Sequence, residues 1–85
     1  MTKKTLKDGK DFPITHKFKK KGTITCQVTS GSVKITLNGG ASNTYGGNQG
    51  LASPFKKTKD ESNQEWTVKV EKNDDKAGVN FNAPD

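Results

Sequence analysis

One nucleophile and one base stand ten positions apart, Cys26 and His16. A thiolate beside an imidazole can attack an electrophilic carbon or supply half of a metal site. Alternation of the flanking residues places both on one buried strand face. The chain holds one His and one Cys, and a structural zinc takes four ligands, so nothing completes a metal or catalytic set. Both are expected as core filling, since an unpaired buried Cys packs as a small hydrophobe. The carboxylates Asp60, Glu61, Glu65, Asp74 and Asp75 fall in polar turns beside Lys. Glycoside hydrolysis needs two facing carboxylates at a set separation, and the ligand spacing of an EF-hand is absent. The Gly-rich stretch 38–50, NGGASNTYGGNQG, lacks the Gly-Lys-Ser/Thr of a phosphate loop. The expectation is therefore no catalytic residue, no metal ligand set and no cofactor.

Binding has better candidates. Lys17, Lys19, Lys20 and Lys21 form a local cluster that attracts polyanions. Such a cluster also guards an edge strand against pairing with another chain. All fifteen basic residues are Lys. Without Arg there is no planar bidentate grip on phosphate or guanine. The formal charge of +6 is uneven. Residues 1–21 hold eight Lys against Asp8 and Asp11, residues 22–55 add only Lys34, and residues 56–85 are nearly balanced. Tyr45 is the one large side chain in the Gly-rich stretch, where it can swing over a ligand. An outward face of Thr23, Thr25, Gln27, Thr29, Lys34, Thr36 and Asn38 offers hydroxyls and amides to a sugar or a protein.

The elements that hold these residues read as strands. Ile24, Cys26 and Val28 alternate with polar residues, as do Val33, Ile35 and Leu37. Period two marks half-buried strands. Ser30-Gly31 between them predicts a tight hairpin, pairing Val28 with Val33, Cys26 with Ile35 and Ile24 with Leu37. Phe12, Ile14, His16 and Phe18 predict an earlier strand, edge-placed by Pro13 and either joined to the hairpin as a meander or crossing to a second sheet. Residues 51–55 predict a short strand and residues 56–65 a polar connection. Trp66, Val68 and Val70 predict another strand, in a last hairpin with Val79 and Phe81. No helical period is present.

With 85 residues and 27% hydrophobic content, one small domain is expected. Residues 1–10 are read as a flexible N-terminal segment and 11–85 as a single β domain. The fold class is all-β: a small antiparallel sandwich, immunoglobulin-like or jelly-roll-like, of five to seven strands. A five-stranded barrel is the alternative. No apolar run reaches the roughly 20 residues of a membrane helix.

SGSVKITL (30–37), EWTVKVEKND (65–74) and GVNFNA (78–83) resemble the rhythm of small bacterial β-sandwich modules of the pre-peptidase C-terminal type. The resemblance covers about half the chain. It implies a module that accompanies secreted enzymes and contacts extracellular polymers, and it carries over no functional residue. The expected function is a non-enzymatic binding or accessory module, bacterial and exported. It would contact an anionic polymer, a glycan or cell-wall polymer, or a partner protein. The alternatives are a nucleic-acid-binding barrel and a phage or toxin-system inhibitor acting by protein contact. The expected location is extracellular or at the cell surface, with the cytoplasm as alternative.

Overall fold

Alternation over residues 23–29 and 33–37 does produce strands, but they do not pair with each other. The computed structural model describes residues 1–46 and 52–85. Eight strands lie within them: β1 (Thr2–Leu6), β2 (Ile14–Phe18), β3 (Gly22–Ser30), β4 (Val33–Leu37), β5 (Asn43–Tyr45), β6 (Phe55–Lys59), β7 (Trp66–Lys72) and β8 (Gly78–Ala83). They form two antiparallel sheets, ordered β1-β8-β3-β6 and β2-β7-β4-β5. Only β4 and β5 are both sequential and paired. This connectivity is that of a jelly roll, two sheets built from interleaved Greek keys. The sheets stay open at four edges, which removes the barrel alternative.

Several local expectations are corrected. β3 pairs with β8 and β6, whereas β4 pairs with β7 and β5. The predicted hairpins β2–β3, β3–β4 and β7–β8 are all crossings between sheets. Alternation fixes which side chains face inward, and it says nothing about whether a partner lies beside a strand or across the core. So Ile24, Cys26, Val33 and Ile35 do share one core, facing one another from opposite sheets. Residues 1–10, read as a flexible segment, contain β1, which pairs with β8 and buries Leu6. The Gly-rich stretch contains β5, and the polar connection begins as β6. The expected strand at 51–55 starts at Leu51, outside the described residues.

The turn after β4 shows why β4 and β5 do pair. Asn38 and Gly39 both take positive φ, 53° and 71°, and the Gly40 amide donates to the Leu37 carbonyl at 3.0 Å. That is a type I′ turn, which matches strand twist and favours Asn-Gly.

The core comprises Leu6, Ile24, Cys26, Val79 and Phe81 from one sheet against Phe18, Val33, Ile35, Val68 and Val70 from the other, each at most 5% exposed. Each large apolar side chain buried this way contributes about 1.5–3 kcal/mol. At one end, the β3–β4 corner locks onto the β7–β8 corner. The buried Ser32 hydroxyl donates to the Asp74 carboxylate at 3.1 Å and accepts from the Asn73 side-chain amide at 2.9 Å. The Asn73 backbone amide donates to the Ser32 carbonyl at 3.0 Å. Gly31 lies against this corner with φ 55°, and a Cβ there would collide with the Asp74 carboxylate and sit 2.8 Å from the Lys76 carbonyl carbon.

Gly31→Ala is therefore expected to destabilise the fold by more than about 2 kcal/mol, combining a left-handed backbone with backbone overlap. Gly39→Ala has the positive φ but open space around its Cβ, and should lose only about 1 kcal/mol. Urea denaturation of both variants checks the contrast, and equal losses would contradict the interlocked corner.

Candidate binding site

The opposite end of the sandwich gathers the turn after β2, the turn after β4 and the loop between β6 and β7. There, strand pairing sets Phe18 beside Trp66 and Lys17 beside Thr67. Lys17 and Thr67 alternate with buried Phe18 and Val68, so both face outward. Thr67 is bound on its other side to Asn38: its amide donates to Asn38 Oδ1 at 2.9 Å, and the Asn38 amide donates back to the Thr67 carbonyl at 2.8 Å. These groups floor an open concavity of about 560 Å³, lined by Lys17, Asn38, Gly39, Gln64, Glu65, Trp66 and Thr67.

One residue holds this end together. Lys59, the last residue of β6, has a fully buried side chain. It points inward because its strand alternates from Phe55. Its ammonium donates to the Lys19 carbonyl at 2.9 Å, to the Glu61 carboxylate at 2.8 Å and to the Glu61 carbonyl. An ammonium has three donors, so all are used. The same group lies 5.8 Å from the Trp66 ring centroid, within cation–π range. Trp66 also meets Phe18 edge to face, with centroids 6.1 Å apart. Lys59 thus ties the lysine turn, the β6–β7 loop and the site's aromatic residue to one another.

Glu61 is the counter-charge. Its carboxylate accepts from Lys59 and from the backbone amides of Asn63 and Gln64. These bonds, the Lys59 one foremost, hold its carboxyl below the ordinary glutamate value. It is a loop anchor rather than an acid–base group.

The expected lysine patch divides. Lys17 lines the concavity. Lys19 gives its carbonyl to Lys59 while its side chain is exposed. Lys20 lies near Asp85, whose carboxyl is held low mainly by the Met1 ammonium, then by the Thr2 hydroxyl, with a smaller contribution from Lys20. Lys21 is exposed on the same turn.

Tyr45 does not join them. It ends β5 opposite Val33 and packs edge to face on Phe55, centroids 5.3 Å apart. That places it about 17 Å along the strand from Asn38, and burial raises its phenol above the ordinary value. Gly47 to Gly50 of the same stretch lie outside the described residues.

His16 and Cys26 are not cross-strand neighbours, because β2 and β3 lie in different sheets. His16 Nε2 is 2.6 Å from the Pro84 carbonyl, and its ring sits between Phe18 and Phe81. Cys26 is fully buried, and desolvation pushes its thiol up to about 12, far from a reactive thiolate. Among the described residues no three His, Cys, Asp or Glu side chains gather as a metal site, and no helix is long and apolar enough to cross a membrane. Asp74 is engaged by Ser32 and the Lys76 amide.

Gly39, Gln64, Trp66, Thr67 and Lys59 are the residues that sequence reasoning did not assign to a site, whereas Asn38 entered only with the outward polar face and Glu65 only among the turn carboxylates. Asn38-Gly39 was a readable hairpin signal, and it would have placed the turn. Lys59 gives no sequence sign of burial, since it ends a run of exposed lysines.

Comparison with known proteins finds no family model, no curated protein and no solved structure that matches this chain.

Lys59→Met should destabilise the domain by about 2–4 kcal/mol, toward the low side of values for breaking a buried pair because Glu61 can rehydrate. Glu61→Gln isolates the acid dependence. A carboxyl whose folded value is depressed stabilises above its ordinary value, here 4.5, and that stability is lost as pH falls through the lower folded value. Asp85 shares this sign and remains in both proteins. Melting temperature measured from pH 6 downward should therefore fall more steeply in the wild type than in Glu61→Gln. Parallel curves would contradict the assigned role.

Proposed function

We propose that this domain is a non-enzymatic binding module whose Lys17–Trp66 concavity takes a segment of an anionic glycan. The observation that carries the reading is the composition of one open groove. It is lined by Lys17 with its ammonium, by Asn38 and Gln64 with their amides, by Thr67, by Glu65 and by the half-buried Trp66, whose ring packs on Phe18. Hydroxyl-rich rings are bound by such mixtures of amides, hydroxyls and an aromatic body. The lysine turn of residues 19–21 adjoins the groove and supplies long-range attraction for carboxylate, sulfate or phosphate substituents. Nucleic acid fits less well. There is no Arg for base edges, and Trp66 is the one aromatic lining the groove, already flanked by Lys59. A bacterial, exported setting belongs to the same proposal and rests on the resemblance in residues 30–37, 65–74 and 78–83.

The chain has one Trp, so intrinsic fluorescence reports this groove directly. Titration with oligogalacturonate should change Trp66 emission, and a neutral oligosaccharide of equal length should bind more weakly. Lys17→Ala should weaken oligogalacturonate binding about threefold, the size of one exposed ion pair. Emission unmoved by either sugar, or unchanged affinity in Lys17→Ala, would reject the groove as the site.

A further inference from the structure

The outer face of the β1-β8-β3-β6 sheet has an uneven charge pattern that the groove does not involve. None of these four strands contains an Asp or Glu. Their register aligns one row across the whole sheet: Lys3 opposite Asn82, Asn82 opposite Thr25, and Thr25 opposite Lys56. Asn82 and Thr25 alternate with buried Phe81, Ala83, Ile24 and Cys26, so the row faces solvent. The next row is Thr5, Asn80 and Gln27, continued by Ser53, whose hydroxyl accepts from the Gln27 amide at 3.2 Å. On the other side Thr23 and Thr58 share a hydroxyl hydrogen bond at 3.2 Å. A shallow depression of about 320 Å³ opens over Lys3, Thr5, Asn80 and Asn82.

The face is thus a flat field of hydroxyls and amides with an exposed lysine at each edge. Lys3 and Lys56 are three strand spacings apart, about 14 Å. One small anion cannot reach both, whereas a chain of repeated charges can. No aromatic side chain faces outward in these rows, so the bases of a nucleic acid have nothing to stack on. Neutral amides and hydroxyls between fixed charges complement sugar hydroxyls between acidic substituents.

We propose that this face is a second binding surface, on which an anionic polysaccharide lies across the strands along the row Lys3–Asn82–Thr25–Lys56. It shares a ligand class with the groove but none of its residues, so either can fail alone.

Amide NMR of the full chain separates the two. Oligogalacturonate should shift Thr25, Gln27, Asn80 and Asn82, and these shifts should persist in Lys17→Ala. The double variant Lys3→Ala/Lys56→Ala should bind at this face about tenfold more weakly, as two exposed ion pairs would. Asn82→Asp, which keeps side-chain size and adds a central negative charge, should weaken binding there by a similar factor. Shifts confined to the Lys17–Trp66 groove would overturn the proposal. So would unchanged affinity at this face in both variants, or equal shifts from oligothymidylate at the same salt concentration.

Discussion

Two corners pressed against each other set the architecture. Ser32, buried at the β3–β4 crossing, is gripped by Asn73 and Asp74 from the β7–β8 crossing. Each crossing carries the chain from one sheet to the other, so each must turn away from the local partner it would otherwise pair with. The buried hydroxyl, the amide and the carboxylate satisfy one another, and the left-handed Gly31 lets the two backbones approach. A hairpin at residues 30–31 would leave Ser32 in the ladder and the Asn73–Asp74 turn without these partners. Once both corners are closed, β3 and β8 are neighbours in one sheet while β4 and β7 are neighbours in the other. Long loops must close before these pairs form, which places the fold among those dominated by non-local contacts.

The other end is held by a fully buried charge. Burying an ammonium is unfavourable unless its donors are all engaged. Lys59 meets that condition with Lys19 and Glu61, and lies near the Trp66 ring. This arrangement orders the two loops that wall the groove without using the side chains of Lys17, Gln64 or Glu65. It also explains the division of the lysine cluster. The backbone of Lys19 is structural, whereas its side chain and those of Lys17 and Lys21 are surface charge.

The faces of the strands were legible in the sequence, and their neighbours were not. Alternation assigned Ile24, Cys26, Val33, Ile35, Val68, Val70, Val79 and Phe81 to the core, and all are buried. The same alternation is satisfied by a hairpin or by two strands facing each other across a core, because both put the apolar side on one interior. Ser30-Gly31 suits a tight turn, and what decides against it is Asp74, more than forty residues away. Asn38-Gly39 was the stronger hairpin signal, masked by the glycines around it. The groove was half legible. Lys17 was identified from its cluster, but its true neighbour Thr67 follows from the β2–β7 pairing, which no local pattern indicates. Tyr45 stood out as an aromatic residue among glycines, yet β5 turns it onto Phe55.

The lysines can be read as edge protection or as ligand contacts, and the topology makes these one distribution. In the β1-β8-β3-β6 sheet every lysine lies on an edge strand: Lys3 and Lys4 on β1, and Lys56, Lys57 and Lys59 on β6. Inner strands β3 and β8 have none. Lys57 and Lys59 occupy inward-facing positions of β6, where charge opposes the addition of another strand. Edge protection needs lysines on those strands on either face. It does not require that the strands between them lack carboxylates, nor that their outward positions be Asn, Gln and Thr. Acidic residues on β3 or β8 would serve solubility equally well, and their absence leaves the positive edges uncompensated across the whole face. The edge lysines are sufficiently explained by protection against pairing. It is the neutral interior between them that protection leaves unexplained.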